Sequence, residues 1–118
     1  MISNYVQCQY QETIDSSNPN FPNLLLDIRE FNKSNGYYET DSNPITKEIL
    51  LKNNITGFDY LPFKFEAQIV RPRFEPDCTD EKLKIIITGI IERIYIGEIS
   101  SYQNKLLEDP RFNFSEIE

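Results

Sequence analysis

The chain has 118 residues with 19 acidic and 12 basic side chains, no His and no Trp, for a net charge of −7. That length suits one domain spanning 1–118, and 39% apolar with 13% aromatic residues can fill a core without a disulfide. Intrinsic disorder and a membrane-spanning segment do not fit this composition, and the acidic balance disfavours nucleic acid or anionic membrane; it either favours a basic protein partner or only keeps the chain in solution.

The first twelve residues, MISNYVQCQYQE, hold neither a basic region nor an apolar run. No signal peptide is expected, and a cytoplasmic location follows. In that compartment Cys8 and Cys78 are expected to stay reduced, with Cys8 a small core residue. Ile2, Val6, Cys8 and Tyr10 alternate with Tyr5, Gln7, Gln9 and Gln11, the period of a half-buried strand. Residues 15–23, with Pro19 and Pro22 among turn formers, read as a loop.

Residues 24–31 fit two periods. Leu24, Leu26 and Ile28 suit a strand, while Leu24, Ile28 and Phe31 suit a helix. Asn35-Gly36 ahead of Tyr37-Tyr38-Glu39-Thr40 favours strand, turn, strand. The alternative is a helix that Asn35-Gly36 closes as a C-cap. Asp41-Ser42-Asn43 makes a polar turn. Asn43 before Pro44 then predicts an N-cap and a short helix over 44–53, with Ile45, Ile49 and Leu50 on one face. It closes near Asn53-Asn54, and Gly57 begins the next connection.

Phe63, Phe65, Ala67 and Ile69 alternate with Lys64, Glu66, Gln68 and Val70, an amphipathic strand. Pro72 and Pro76 end it, and 71–81 form a charged loop. Residues 83–99 contain eight isoleucines around Gly89, a β-branched density that argues for sheet. Gly89 predicts a bulge or tight bend, in one long bent strand or between two strands. Ile90, Ile94 and Ile96 then share a face on which Glu92 is the exception. Ser100-Ser101 opens a short helix with Leu106 and Leu107, ended by Pro110. In the alternating tail, Phe112 and Phe114 pack as an edge strand or dock on a partner. The fold class expected is α+β: a mainly antiparallel sheet of five or six strands with one or two short helices. No βαβ rhythm or Gly-rich turn suggests a nucleotide-binding doubly wound sheet.

Catalytic chemistry is poorly supplied. Without His there is no Ser–His or Cys–His pair and no imidazole base. Two cysteines cannot build a four-cysteine zinc site, and no phosphate-cradling motif occurs. The expectation is a protein that is not an enzyme, with no cofactor and no metal. The segment Glu75-Pro76-Asp77-Cys78-Thr79-Asp80-Glu81 is the most distinctive polar stretch. Its spacing does not match a calcium-binding EF-hand loop. It is either a solvated turn or a set of carboxylates (Glu75, Asp77, Asp80, Glu81) offered to Lys or Arg of a partner. Cys78 sits among these acids, which argues against a nucleophilic role. Tyr37-Tyr38 and the stretch 58–63, with Asp59 and Tyr60, set aromatics beside Glu39, Asp41 and Asp59. Such rings complete a small core or form a protein-binding surface, since interface hot spots are rich in Tyr.

In size, acidity, Asn- and Ile-rich composition, missing catalytic residues and carboxylates beside aromatics, the whole chain resembles the small acidic immunity proteins of bacterial polymorphic and contact-dependent growth-inhibition toxin systems. The resemblance implies a stoichiometric inhibitor that occludes the active site or substrate groove of a basic toxin domain, often a nuclease. In that reading Asp77, Asp80 and Glu81 steer and pair, and Tyr37, Tyr38 and Tyr60 pack. A second reading is a phage or accessory module, an adaptor or anti-defence inhibitor, with the same surface chemistry. A third is a small-ligand or catalytic α+β domain, which a deep apolar pocket with inward carboxylates would favour.

Overall fold

A computed structural model describes residues 4–57, 62–73, 77–95, 97 and 108–116. Its strands are β1 (Tyr5–Ile14), β2 (Asn43–Ile45), β3 (Lys64–Val70), β4 (Lys84–Tyr95) and β5 (Phe112–Glu116). They form one five-stranded sheet in the order β2-β3-β4-β1-β5, every pair antiparallel. Helices α1 (Phe21–Asn35) and α2 (Lys47–Lys52) complete the α+β architecture. No helix among the described residues is long and apolar enough to cross a membrane.

Alternation fixes which sheet face is covered. Val6, Cys8, Tyr10 and Ile14 of β1, Phe65, Ala67 and Ile69 of β3, and Ile85, Ile87, Ile91 and Ile94 of β4 form one core with Phe21, Leu24, Leu25 and Ile28 of α1 and Leu50 of α2. Burying such a side chain contributes about 1.5–3 kcal/mol. The opposite face carries Gln9, Gln11, Thr13, Lys64, Glu66, Lys84, Asn113 and Ser115, all exposed.

Register brings one row of residues across the sheet. Ile45 pairs with Phe65, Phe65 with Gly89, Gly89 with Tyr10, and Tyr10 with Phe112. The rings of Tyr10, Phe63, Phe65 and Phe112 gather over the glycine, with the Tyr10–Phe65 centroids 5.8 Å apart and Tyr10–Phe112 5.2 Å. A Cβ on Gly89 would stand 2.9 Å from Phe65 Cδ1 and Cε1 and 3.3 Å from Phe63 Cδ1. Gly89 is therefore neither bulge nor bend. It lies within a continuous ladder and leaves room for the aromatic cluster.

The irregularity of β4 lies further on. Val6 faces Ile94 and Cys8 faces Ile91, so β4 carries one extra residue there, a bulge. The bulge switches phase: Ile91 and Ile94 are both buried, Ile90 is half-buried on the other face, and Glu92 is exposed. The expected face of Ile90 with Ile94 is thus corrected, and Glu92 is no exception on an apolar face.

Two earlier segments also differ from expectation. Residues 24–31 are helical, not strand, turn, strand. Phe21, Leu24, Leu25, Ile28 and Asn32 share the buried stripe of α1, spaced by three and four as a helix requires. Asn35-Gly36 is the helix stop. Gly36 sits at φ 72°, and Tyr37 N–H reaches Asn32 O at 2.8 Å in the return turn. The loop before it is shorter than 15–23, because Pro22 starts a helix well. The expected helix over 44–53 begins later. Asn43–Ile45 is a short edge strand on β3, and Thr46, not Asn43, caps α2, its hydroxyl accepting from Ile49 N–H at 3.4 Å. Buried Asn43 spends its side-chain amide on Tyr38 O at 2.6 Å, tying down the preceding loop. The expected strand over 63–70 and edge strand at Phe112 and Phe114 match β3 and β5. The helix expected after Ser100 lies outside the described residues.

Candidate functional site

The acidic segment meets the helix layer through one arginine. Asp80–Lys82 is a 3₁₀ turn closed by Leu83 N–H to Asp80 O at 3.1 Å. Buried Leu83 and Ile85 anchor it from the core side, which turns Asp80 and Glu81 outward. Arg29 on α1 donates through Nη1 to Asp80 at 3.0 Å and through Nε to Glu39 at 2.6 Å. Glu39 also takes Arg71 Nη2 at 3.4 Å. The bonds to Glu39 first, then Asp80, hold Arg29 more firmly protonated than a free guanidinium. The loop after α1 and the turn before β4 thus flank the same stretch of helix, although 41 positions separate Glu39 from Asp80 (80 − 39).

Beside this clamp runs a groove of about 430 Å³. Phe21, Pro22, Leu25 and Leu26 line its apolar part, and Asp80 and Glu81 stand at its edge. Leu26 is 54% exposed and Tyr38, in the flanking loop, 77%. Tyr37 is 38% exposed and leans on Phe31, centroids 6.4 Å apart. An exposed Leu and Tyr among carboxylates combine the two elements of a protein-docking surface, a dry anchor and a charged rim.

The structure therefore gathers Tyr37, Tyr38, Asp80 and Glu81 around α1. Asp77 is exposed. Asp80 is engaged by Arg29, so Glu81 and Asp77 carry the less encumbered charge. Glu75, Asp59 and Tyr60 lie outside the described residues. The sequence reads Pro22 as a loop residue and Leu26 as part of a strand, and gives neither them nor Arg29 a binding role. The signal was present only in the helical period, which places Leu26 away from Leu24 and Ile28. The residues of the clamp share no local pattern.

A second polar cluster sits at the start of β5. Tyr10 hydroxyl donates to Glu12, whose carboxylate also accepts from Arg111 Nη1 at 3.2 Å. Arg111 holds Asp109 through Nη2 at 2.7 Å and Nε at 3.0 Å. Burial, then the Glu12 bond and charge, push the Tyr10 phenol far up. Arg111 holds the Asp109 carboxyl below its usual range. No buried side-chain polar atom among the described residues lacks a partner. This cluster ties β1 to β5 rather than presenting a reactive group. Cys8 and Cys78 are free thiols, and burial raises Cys8 to about 12, far from a nucleophile's range. Among the described residues no group of three His, Cys, Asp or Glu could hold a metal ion. A broader groove of about 850 Å³ crosses the uncovered sheet face past Gln9, Gln11, Thr88 and Asn113.

No protein-family model, no curated protein and no solved structure matches the chain.

Proposed function

We propose that this chain is a non-catalytic binding protein, an immunity protein that neutralises a basic toxin domain in the bacterial cytoplasm by covering its active site or substrate groove. The observation that carries this reading is the largely apolar groove along α1, lined also by Asp80 and Glu81 and holding half-exposed Leu26, with Tyr38 exposed in the loop that follows the helix. A cationic protein supplies Lys or Arg for Glu81 and Asp77, the carboxylates that Arg29 does not engage, and an apolar side chain to cover Leu26. The net charge of −7 adds long-range attraction.

The test begins with a pull-down by the tagged chain from its native host, followed by binding kinetics with the purified partner. Reversing Asp77, Asp80 and Glu81 to Lys together should slow association and weaken or invert its salt response. The double reversal of Asp77 and Glu81, which spares the Arg29 pair, should act in the same direction. Leu26→Asp should speed dissociation by about tenfold or more, the scale of an interface anchor. Unchanged kinetics in all three variants would place the interface elsewhere. A partner that is a polyanion would refute the reading altogether.

A further inference from the structure

The two edges of the sheet are not equivalent. At one edge β2 is only Asn43–Ile45 with Pro44 at its centre, a short strand lacking one N–H and therefore a poor template. At the other edge β5 runs Phe112–Glu116 without proline. Between Arg111 and Glu116 it reads Phe-Asn-Phe-Ser, with no charge at all. In a chain of net charge −7, this is a strip along which two copies can meet without setting like charges face to face.

The register shows which backbone groups this edge offers. Gln11 N–H donates to Arg111 O at 2.9 Å, one position beyond the Tyr10–Phe112 pair that ends the β1–β5 ladder. In antiparallel pairs the inward-bonding residues alternate. The Arg111 carbonyl and the amide groups of Asn113 and Ser115 therefore turn toward β1, the Arg111 N–H being held by Asp109 Oδ1 at 3.0 Å, and Phe112, Phe114 and Glu116 turn theirs outward. Phe112 N–H is already spent on Asp109 O at 3.2 Å. Among the described residues, that leaves the Phe112 carbonyl and both groups of Phe114 and Glu116 for a neighbour.

We infer that β5 is a self-pairing edge, joining two copies of this chain antiparallel about a two-fold axis at Phe114. In that register the two Phe114 residues exchange N–H···O=C bonds, and each Glu116 N–H meets the Phe112 carbonyl of the other copy. The arrangement is isologous, as a two-fold requires. Phe114, partly buried against the core of its own chain, meets its counterpart on the helix-facing side as a cross-strand aromatic pair. The joint is small against the roughly 1,200–2,000 Å² of stable interfaces, so dimerisation depends on concentration.

The register can be tested without touching the core. Asn113 and Ser115 are exposed on the uncovered face and sit opposite Gln9 and Gln7 of β1. In the dimer Asn113 of one copy would stand opposite Ser115 of the other. Sedimentation and light scattering across a concentration series should show the wild-type mass rising from 13.9 kDa toward twice that value. Asn113→Lys with Ser115→Lys sets like charges opposite each other only across the joint. It should raise the dimer Kd on the order of tenfold while circular dichroism and unfolding stay those of the wild type. Asn113→Lys with Ser115→Glu should restore dimerisation and make it salt-sensitive. A wild-type mass that never exceeds one chain overturns the inference, as does a dimer indifferent to the double Lys change. Disruption by both double variants equally would rule out pairing about Phe114.

Discussion

Two side chains show how single atoms constrain this molecule. Gly89 lacks the Cβ that would meet the Phe65 ring at 2.9 Å. Gly89→Ala should cost about 1–3 kcal/mol, the range for overpacking a filled core, measured as a lower denaturation midpoint with unchanged slope. Arg111 draws Asp109 below the usual carboxylate range by direct hydrogen bonds. A depressed folded-state value means the folded chain binds the proton less readily than the unfolded one. The resulting stabilisation is full above the ordinary value of 3.8 and is lost as pH falls from there through the lower folded value. Asp109→Asn should therefore lower stability at neutral pH and flatten the acid limb below the ordinary value of 3.8, as followed by urea unfolding at each pH.

At the scale of elements, α1 depends on its stop signal. Gly36 takes φ 72° with nothing within 4 Å of an added Cβ, so substitution meets backbone strain alone. Gly36→Ala should cost about 1 kcal/mol, read from thermal or urea unfolding, without altering the fold. The same helix shows where sequence reading divides. An Asn-Gly pair serves a hairpin turn and a helix C-cap equally, because both want a left-handed residue. Leu24, Leu26 and Ile28 imitate a strand, and only the burial of Leu25 and Asn32 beside Leu24 and Ile28 selects the helix. Pro44 reads as a helix start alone, yet its fixed φ suits a first helical turn and an edge strand alike. β3 was legible because Phe63, Phe65, Ala67 and Ile69 allow no competing period. β4 was legible as sheet, yet its phase was not, since the bulge opposite Gln7 depends on the strand alongside.

For the whole molecule, charge and topology act together. Arg29 draws Glu39 and Asp80 into one cluster, and the ion pairs there are partly exposed, with side-chain exposures of 31%, 30% and 64% for the three groups. Such pairs contribute little to stability, so their consequence is placement: they set the loop of Tyr37 and Tyr38 and the turn of Asp80 and Glu81 beside one helix. The acidic, aromatic character of the proposed binding surface was readable from composition, and Asp80, Glu81, Tyr37 and Tyr38 were readable as its candidates. Leu26 and Arg29 were not: Leu26 fits a strand with Leu24 and Ile28, and Arg29 has its partners at Glu39 and Asp80, far along the chain.

Sequence alone determined the α+β class, the strands of strict alternation and the want of imidazole chemistry, since these follow from local period and residue inventory. Tertiary structure decided the helical state of 24–31, the strand order that leaves β5 at an edge, and the meeting of Glu39 with Asp80. The reason is physical: periodicity is written within a few residues, whereas burial, ladder register and ion pairing arise between segments that only the folded chain brings together.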